Sequence, residues 1–330
     1  FINDTTLTDE EIRFRDSIAQ INQESRLIQE AQSAYNEGIS LYSEKKFQAA
    51  VSSFLKAIEI RPDFADAYYN MGIAQSADGK QEKAIECFTK TIEIDPEYHT
   101  ALKKRAEEYV KQGDYDSAVE DYQLLTTKMA GSDEPFYYLG EVLFLKEDYD
   151  GAIGSFDKAI SLNPKNAKAY NDRSSCYRKL EKYPEALSDI NKALSIDASM
   201  PFIHNNLGSL KKKTGELDAA LQAYSKAIQI DPAYFLAYNN RGSIYLEQEK
   251  YDLATEDFNK AISIEPGYAP AQNNLGIVLH KQEKYKEAIK AFDKAIQSNP
   301  SYGVAYLNRG ISKEETRDAE GACADWQKAA

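Results

Sequence analysis

The side chains best suited to metal binding or nucleophilic catalysis, cysteine and histidine, are few in this sequence of 330 residues. They are Cys87, Cys176, Cys323, His99, His204 and His280. An odd number of distant cysteines gives no disulfide framework and no zinc knuckle, and the histidines have no metal-ligand spacing. The sequence therefore predicts no metal centre, and it leaves the redox compartment open.

Catalytic sequence motifs are absent as well. The chain has no G-x-S-x-G nucleophile elbow, no Walker A loop, no H-E-x-x-H helix and no adjacent Cys and His. With 53 acidic residues, paired carboxylates are common by chance, and we expect most of them on solvated helix faces. We therefore predict that the chain is not an enzyme and carries no cofactor.

The charge balance argues against nucleic acid as a partner. Forty basic and 53 acidic residues give a net charge of −13, and most of such a surface repels a phosphate backbone. No uncharged apolar stretch approaches the length of about 18 residues that a transmembrane helix needs, and the N-terminus shows no secretory signal. We expect a soluble protein, and the sequence does not decide between cytoplasm and periplasm.

The elements that must position any functional side chain recur every 34 residues. A residue before proline marks the period: Arg61-Pro62, Asp95-Pro96, Asn163-Pro164, Asp231-Pro232, Glu265-Pro266 and Asn299-Pro300. Counting back from each proline places repeat starts at residues 31, 65, 99, 133, 167, 201, 235, 269 and 303. Nine repeats fill residues 31–330 without insertion or deletion, and the last one is truncated.

Each repeat has the pattern of two closely packed helices. Position 8 is glycine in seven of the nine repeats, position 20 is alanine in all nine, and position 24 is aromatic in eight. Glycine inside a helix costs about 0.5–1 kcal/mol relative to alanine, so its recurrence indicates that another side chain approaches very closely. Small residues at positions 8 and 20 opposite a large residue at position 24 predict a knob-and-hole contact.

This pattern resembles the tetratricopeptide repeat (TPR) family, which shares the aromatic position 4, glycine 8, alanine 20 and 27, and proline 32. The resemblance covers residues 31–330. It implies an all-α fold, an α-solenoid whose helix-turn-helix repeats form a right-handed superhelix. Repeat 3 departs from the pattern at Leu125 and Ala130, and repeat 5 departs at Ser174, Ile190 and Ala198. The last repeat resembles the closing repeats of many bacterial members.

The resemblance also implies that positions 2, 5, 6, 9, 12 and 13 of each repeat line a concave groove. Asparagine recurs there, at position 6 as Asn206, Asn240, Asn274 and Asn308 and at position 5 as Asn205, Asn239 and Asn273. A side-chain amide both donates and accepts, so it can pair with the backbone of an extended peptide of any sequence. The row resembles the asparagine ladder of O-GlcNAc transferases. The alternative is that these amides hydrogen-bond within the array.

Two further groups of groove residues stand out. In repeat 4, Tyr137, Tyr138 and Phe144 precede Leu145, and rigid aromatic side chains in a concave surface mark binding hot spots unless a neighbouring helix buries them. Repeats 5 and 6 contribute basic residues, which would steer an acidic partner segment to this stretch unless they form a solvated face. These residues are Lys168, Arg178, Lys179, Lys212 and Lys213.

One partner class is not expected. Family members that bind EEVD-type chaperone tails carry a carboxylate clamp, with lysine at position 5 and asparagine at position 9 of one repeat. Asparagine at position 6 of the next repeat, and lysine at position 2 and arginine at position 6 of the third, complete it. The first three repeats have Tyr35, Ile39, Asn70, Thr100 and Lys104 at these positions, and repeats 6–8 lack the cations as well. We therefore predict no binding of such tails.

Residues 1–30 precede the repeats. Thr8–Glu11 has the pattern of a capping box that opens a helix, and Phe14, Ile18, Ile21 and Ile28 form an apolar stripe. Because no turn former follows, we expect one unbroken helix from about residue 9 to about residue 43. We interpret residues 1–30 as a capping helix that shields repeat 1. The alternative is a helix for dimerisation or partner binding.

These features predict a protein–protein interaction scaffold or adaptor that binds an extended partner segment, of protein or peptide, in the groove. One alternative is the recognition module of a larger, glycosyltransferase-like enzyme whose catalytic domain lies outside this chain. Another is a self-assembling structural protein whose groove accepts the N-terminal helix of a second copy. Because the last repeat is truncated, we also expect either a longer natural chain or a partner that covers this end.

Overall fold

A computed structural model describes residues 9–329, with side chains from residue 13, and shows the all-α fold that the sequence predicts. The first helices of the repeats are α1 (Asp9–Ser43), α3 (Ala65–Ala77), α5 (His99–Gln112), α7 (Glu134–Leu145), α9 (Ala167–Lys179), α11 (Pro201–Lys213), α13 (Phe235–Glu247), α15 (Ala269–Lys281) and α17 (Gly303–Glu315). The second helices are α2 (Phe47–Ile60), α4 (Gln81–Ile94), α6 (Tyr115–Lys128), α8 (Tyr149–Leu162), α10 (Tyr183–Ile196), α12 (Leu217–Ile230), α14 (Tyr251–Ile264), α16 (Tyr285–Ser298) and α18 (Ala319–Ala329).

The helices form two compact units, which divide between Asn163 and Pro164. Unit 1 holds repeats 1–4 and unit 2 holds repeats 5–9. Within each unit, every helix packs on the helices next to it in sequence, and in unit 2 the first helices of adjacent repeats also touch. Each unit is therefore a solenoid stack stabilised by the sum of its nearest-neighbour interfaces. None of the described helices is both long and apolar enough to span a bilayer.

The predicted knob-and-hole contact is confirmed. The aromatic ring at position 24 lies against the glycine at position 8 of the same repeat, so that a Cβ on Gly38 or Gly140 would come within 2.6 Å of the ring of Phe54 or Phe156. All the alanines at position 20 are buried. In repeat 5, Ser174 replaces the glycine opposite a smaller isoleucine, and its hydroxyl donates to the carbonyl oxygen of Ala186 at 2.8 Å.

The turn between the two helices of a repeat always places position 15 in the left-handed region. Glycine fills it in repeats 2, 3 and 6. The other six repeats have charged residues there, at φ angles of 57° to 66°, namely Lys45, Glu147, Glu181, Glu249, Glu283 and Arg317. Because the left-handed conformation costs an L-residue about 1–2 kcal/mol, six of the nine turns are strained.

A buried ion pair, which the sequence analysis missed, joins the two helices of every second repeat. The arginine at position 7 donates two hydrogen bonds of 2.5–2.8 Å to the aspartate at position 23. The pairs are Arg105–Asp121, Arg173–Asp189, Arg241–Asp257 and Arg309–Asp325. Repeats 4, 6 and 8 have leucine at position 7 and serine or alanine at position 23. Burial raises the pKa of Asp257, and the bonds from Arg241 offset this rise only in part.

The N-terminal helix is continuous with the first helix of repeat 1, as expected, because α1 runs without a break from Asp9 to Ser43. Thr8, the first residue of the predicted capping box, lies outside the described residues. All side chains from residue 13 to residue 30 are exposed, including 68% of Phe14 and 57% of Ile21. This stretch therefore does not bury its apolar stripe against repeat 1, and the dimerisation or partner-binding alternative stays a prediction.

Candidate partner-binding surface

The asparagines form a continuous ladder on the first helices of unit 2. Each asparagine at position 6 donates its Nδ2 to the Oδ1 of the position-5 asparagine in the preceding repeat, at 2.9–3.0 Å. The donors are Asn206, Asn240, Asn274 and Asn308, and the acceptors are Asn171, Asn205, Asn239 and Asn273. The acceptors are buried and the donors are half-buried. The ladder therefore links adjacent repeats, which was the alternative to peptide binding.

The ladder keeps unused hydrogen-bonding capacity. An amide nitrogen has two N–H groups, and only one bond from each donor nitrogen is present in the part of unit 2 that the structure describes. The Oδ1 atoms of Asn240 and Asn274 accept long bonds of 3.4 Å and 3.5 Å from Asn239 and Asn273. Each half-buried amide can therefore give a second N–H to another molecule while its bond to the neighbouring repeat stays intact.

Unit 1 uses the same register with different chemistry. Position 5 is Tyr35, Tyr69, Lys103 and Tyr137 in repeats 1–4, where unit 2 has mostly asparagine. The Nδ2 of Asn70 donates to the Tyr35 hydroxyl at 3.0 Å, so the bond from position 6 to position 5 recurs with a phenol as acceptor. The first-helix faces of the two units therefore differ: that of unit 1 is aromatic, and that of unit 2 consists of amides.

Three of the five predicted basic residues meet at one open cavity of about 470 Å³. Arg178, Ser209, Lys212, Lys213, Tyr224 and Asn240 line it. The Nζ of Lys212 pairs with Glu247 at 2.5 Å. Lys168 and Lys179 are exposed on α9 and do not line this cavity. The structure therefore concentrates the basic stretch of repeats 5 and 6 into a site that also includes one member of the ladder, Asn240.

The floor of this cavity is polar. The Ser209 hydroxyl donates to the carbonyl oxygen of Asn205 at 3.1 Å, so the Tyr224 hydroxyl, 3.2 Å away, donates to Ser209. Burial raises the pKa of Tyr224, and the Ser209 bond and the Arg178 charge offset this rise in part. Most repeats have phenylalanine at position 24, so the Tyr224 hydroxyl is an addition of repeat 6.

The aromatic residues of repeat 4 pack on neighbouring helices. Tyr138 stacks on Tyr122 of α6 with ring centroids 5.7 Å apart, and Tyr137 lies 5.9 Å from Phe156 of α8. Phe144 contacts Tyr149 edge to face at 5.4 Å. Of this predicted hot spot, Leu145 alone counts as exposed, at 46%. The burial alternative thus describes the three aromatic rings better than an open binding surface does.

A second cavity, of about 150 Å³, lies between α5, α6 and α7, and sequence reasoning missed it. His99, Thr100, Lys103, Leu125, Met129, Glu134, Pro135 and Tyr138 line it. The Nζ of Lys103 donates to Glu134 at 2.6 Å and to the Tyr138 hydroxyl at 2.8 Å, and the bond to Glu134 lowers the pKa of that carboxyl. The available signal was the departure of repeat 3 from the family pattern, including Leu125 in place of alanine.

The cysteines and histidines form no metal site. Among residues 9–329, no group of three or more His, Cys, Asp or Glu side chains could hold a metal ion. Cys87 and Cys176 are buried, and burial raises the pKa of each thiol to about 12. These two thiols are therefore protonated at neutral pH and serve as small packing residues.

Family models match this chain along much of its length. Models of the tetratricopeptide repeat match residues 65–98, 134–166, 155–188, 235–268 and 269–302, and a TPR repeat model matches residues 38–79 and 209–248. Together these matches cover more than half of the chain. The chain belongs to the tetratricopeptide repeat family. Repeats of this family typically form non-catalytic scaffolds, and TPR proteins generally mediate protein–protein interactions.

Solved structures show the same fold. A tetratricopeptide repeat protein from Parabacteroides merdae is 21% identical with a TM-score of 0.66, over 76% of this chain and 99% of its own. A chain of the APC/C hetero-tetramer Cut9–Hcn1 is 16% identical with a TM-score of 0.61, over 92% of this chain and 59% of its own. PilF of Pseudomonas aeruginosa is 20% identical with a TM-score of 0.53, over 58% and 88%. These identities show the fold alone. No curated protein matches the sequence.

Proposed function

We propose that this TPR protein is an adaptor that binds an extended segment of a partner protein along the first helices of unit 2. Acidic groups of the segment lie at the cavity around Arg178, Lys212 and Lys213. One observation supports this most directly: Asn240 belongs both to the cavity lining and to the ladder. A basic site and a row of half-used amides therefore adjoin on one face.

The spacing of the ladder suits an extended chain. Packed helices lie about 8–10 Å apart, and a strand rises about 3.3 Å per residue. One ladder step is therefore spanned by about three residues of an extended peptide. Side-chain amides that donate to backbone carbonyl groups would hold such a peptide without reading its side chains. The cavity would add the selectivity that the amides lack.

Charge supports the placement of the acidic groups. The chain as a whole carries −13, so most of its surface repels an acidic partner. The cluster of Arg178, Lys212 and Lys213 is a local exception on the face that carries the ladder. An acidic segment would therefore be steered to this part of unit 2, and its binding should weaken as salt is added.

Site-specific photo-cross-linking in an extract of the native cell tests the proposal. A benzophenone amino acid replaces Ser243, at position 9 of repeat 7, and a matched variant carries it at Gln222, which is exposed on the second helix α12. We expect cross-links from position 243 that map to one segment of a partner, and none to that segment from position 222. Equal labelling from both positions, or labelling from position 222 alone, would contradict the proposal.

A second candidate function, self-assembly, is favoured by the exposed stripe of α1. Phe14, Ile21 and Ile28 are each more than half exposed on a helix that makes no contact with the second helices from residue 13 to residue 30. Such a face is covered in assemblies of this kind by a second copy. Sedimentation velocity of the chain and of its Phe14→Ser/Ile21→Ser variant separates the cases. Self-assembly predicts a concentration-dependent species that the variant loses.

A further inference from the structure

Building on the proposed function, we infer that the cavity around Arg178 and Lys213 binds the phosphate of a phosphorylated side chain in the partner segment. The inference names the acidic group that the adaptor recognises. It depends on three properties of the cavity: its uncompensated charge, its hydrogen-bond donors and its size.

The first property is the charge. Lys212 already has a counter-ion in Glu247, so this pair is neutral. Arg178 and Lys213 face the same cavity, and within residues 13–329 neither makes an ion pair. Two uncompensated positive charges therefore remain. A phosphomonoester carries about −1.5 to −2 at pH 7, whereas a carboxylate carries −1 and would leave one cation unmatched.

The second property is the supply of donors. A guanidinium has five N–H donors and an ammonium has three, and Asn240 retains one N–H beyond its bond to Asn205. The hydroxyls of Ser209 and Tyr224 are engaged with each other and with the Asn205 carbonyl, so they form a satisfied floor and do not compete for the ligand. Three separate donor groups suit the three terminal oxygens of a phosphate.

The third property is the size and setting of the site. An open cavity of about 470 Å³ accommodates a phosphate, the side chain that carries it and ordered water. A membrane surface or a nucleic acid offers phosphates too. The net charge of −13 and the carboxylate of Glu247 beside the cavity would repel such an extended array of phosphates. A single phosphate on an otherwise neutral segment avoids that repulsion.

NMR titrations of the whole chain test the inference through the Nε–Hε resonance of Arg178. The probes are N-acetyl-phosphoserine methylamide, its glutamate and serine counterparts, and inorganic phosphate. We expect the phosphoserine probe to shift this resonance and to bind at least about fivefold more tightly than the glutamate probe. Its affinity should fall between pH 7.5 and pH 5.5, because the phosphate gains a proton with a pKa near 6.

Variants locate the site. Arg178→Gln, followed by backbone amides of α9 and α11, and Lys213→Gln should each lower the affinity by about tenfold, because each removes a charged hydrogen bond. Lys192→Gln and Lys260→Gln make the same change of charge on exposed parts of second helices, and we expect less than about a twofold loss from them. Equal losses from all four variants would mean that bulk charge alone attracts the probe, which would overturn the inference.

The outcomes separate the inference from the proposed function. If the serine probe binds as tightly as the phosphoserine probe, or if inorganic phosphate alone binds, the cavity does not read a phosphorylated side chain. Should the phosphoserine probe fail while cross-links from position 243 persist, the inference is wrong and the adaptor role stands. Phosphoserine binding without those cross-links would support the cavity as a phosphate site and contradict the extended groove.

Discussion

Single residues in this chain often serve the joint between repeats at a local cost. The clearest case is position 15, where six charged residues adopt a left-handed backbone that glycine would adopt without strain. The asparagine ladder is a second case, since each of its amides spends one N–H on the neighbouring repeat. Stability predictions at this scale therefore concern backbone strain and single hydrogen bonds.

Replacing Glu249 by glycine should stabilise the protein. The left-handed conformation costs glutamate about 1–2 kcal/mol, and glycine brings back about 0.5–1 kcal/mol of that as added flexibility of the unfolded chain. We expect a net gain of about 0.5–1 kcal/mol, measured as a higher urea midpoint. The control Glu256→Gly, inside α14, should lose about 1 kcal/mol. A loss for Glu249→Gly would show that this turn is not strained.

Replacing Asn240 by alanine should destabilise unit 2. The change removes the donor to the Oδ1 of Asn205, whose side chain is buried, and an unmet buried acceptor costs about 1–3 kcal/mol. The control Asn36→Ala alters the same repeat position in repeat 1, where no preceding repeat offers an acceptor and the side chain is exposed. We expect less than about 0.5 kcal/mol there. Equal urea midpoints for the two variants would remove the ladder bond from the account.

The ladder also carries a prediction about binding. If the second N–H of each amide meets the partner backbone, Asn240→Ala and Asn274→Ala should each cost about 0.5–1.5 kcal/mol of affinity. The loss should be similar for partner segments of unrelated sequence, because backbone groups are common to all of them. Titration calorimetry with two such segments measures it. A loss confined to one segment would indicate side-chain recognition at these positions.

Pairs of helices are held together by two different cores that alternate along the chain. In repeats 3, 5, 7 and 9 a buried arginine–aspartate pair joins the helices, and in repeats 4, 6 and 8 leucine with serine or alanine fills the same place. A buried ion pair is weak evidence for stability, because the desolvation of both charges offsets their attraction. The protein supplies its own apolar replacement for the comparison.

Exchanging one core for the other should therefore cost little, whereas breaking the pair should cost much. Asp257→Ala leaves Arg241 buried without its partner, and we expect a loss of about 3–5 kcal/mol. The double variant Arg241→Leu/Asp257→Ala copies repeats 6 and 8, and we expect it within about 1 kcal/mol of the parent. Urea denaturation of both variants decides. A double variant as unstable as Asp257→Ala would show that the pair itself stabilises repeat 7.

The helices and their packing could be predicted from the sequence because 34-residue periodicity reports one contact nine times over. Glycine at position 8 and the ring at position 24 identify each other, and the structure confirms that contact. The arginine–aspartate pairs escaped because they recur every 68 residues, and a search at period 34 averages them away. The cavity at Arg178 escaped in part, since which of the five cations converge depends on side-chain directions that spacing alone does not give.

The whole molecule consists of two units and a projecting helix, and protection from hydrogen exchange should follow that order. Residues 13–30 are exposed throughout, so their amides should exchange faster than those of the helices in either unit. Repeat 9 should exchange faster than repeats 6–8, because α18 is followed by no further described helix. Mass spectrometry after deuterium labelling measures both.

Repeating the labelling at low and high protein concentration gives the control. Slower exchange at residues 13–30 in the concentrated sample would show self-assembly through the exposed stripe. Unchanged exchange at both concentrations would contradict the self-assembly candidate. Protection of residues 13–30 equal to that of repeat 7 in a monomer would mean that the described contacts of α1 are incomplete.

The alternation of buried pairs gives this array a parity. Each arginine at position 7 also reaches back to position 25 of the preceding repeat, as Arg105 does to Thr89 and Arg241 to Ser225, both at 3.0 Å. Gain or loss of a single repeat would set two like repeats side by side and give an arginine a different neighbour. Gain or loss of two repeats restores the order. The natural unit by which such a chain can lengthen or shorten is therefore 68 residues, an odd and an even repeat together.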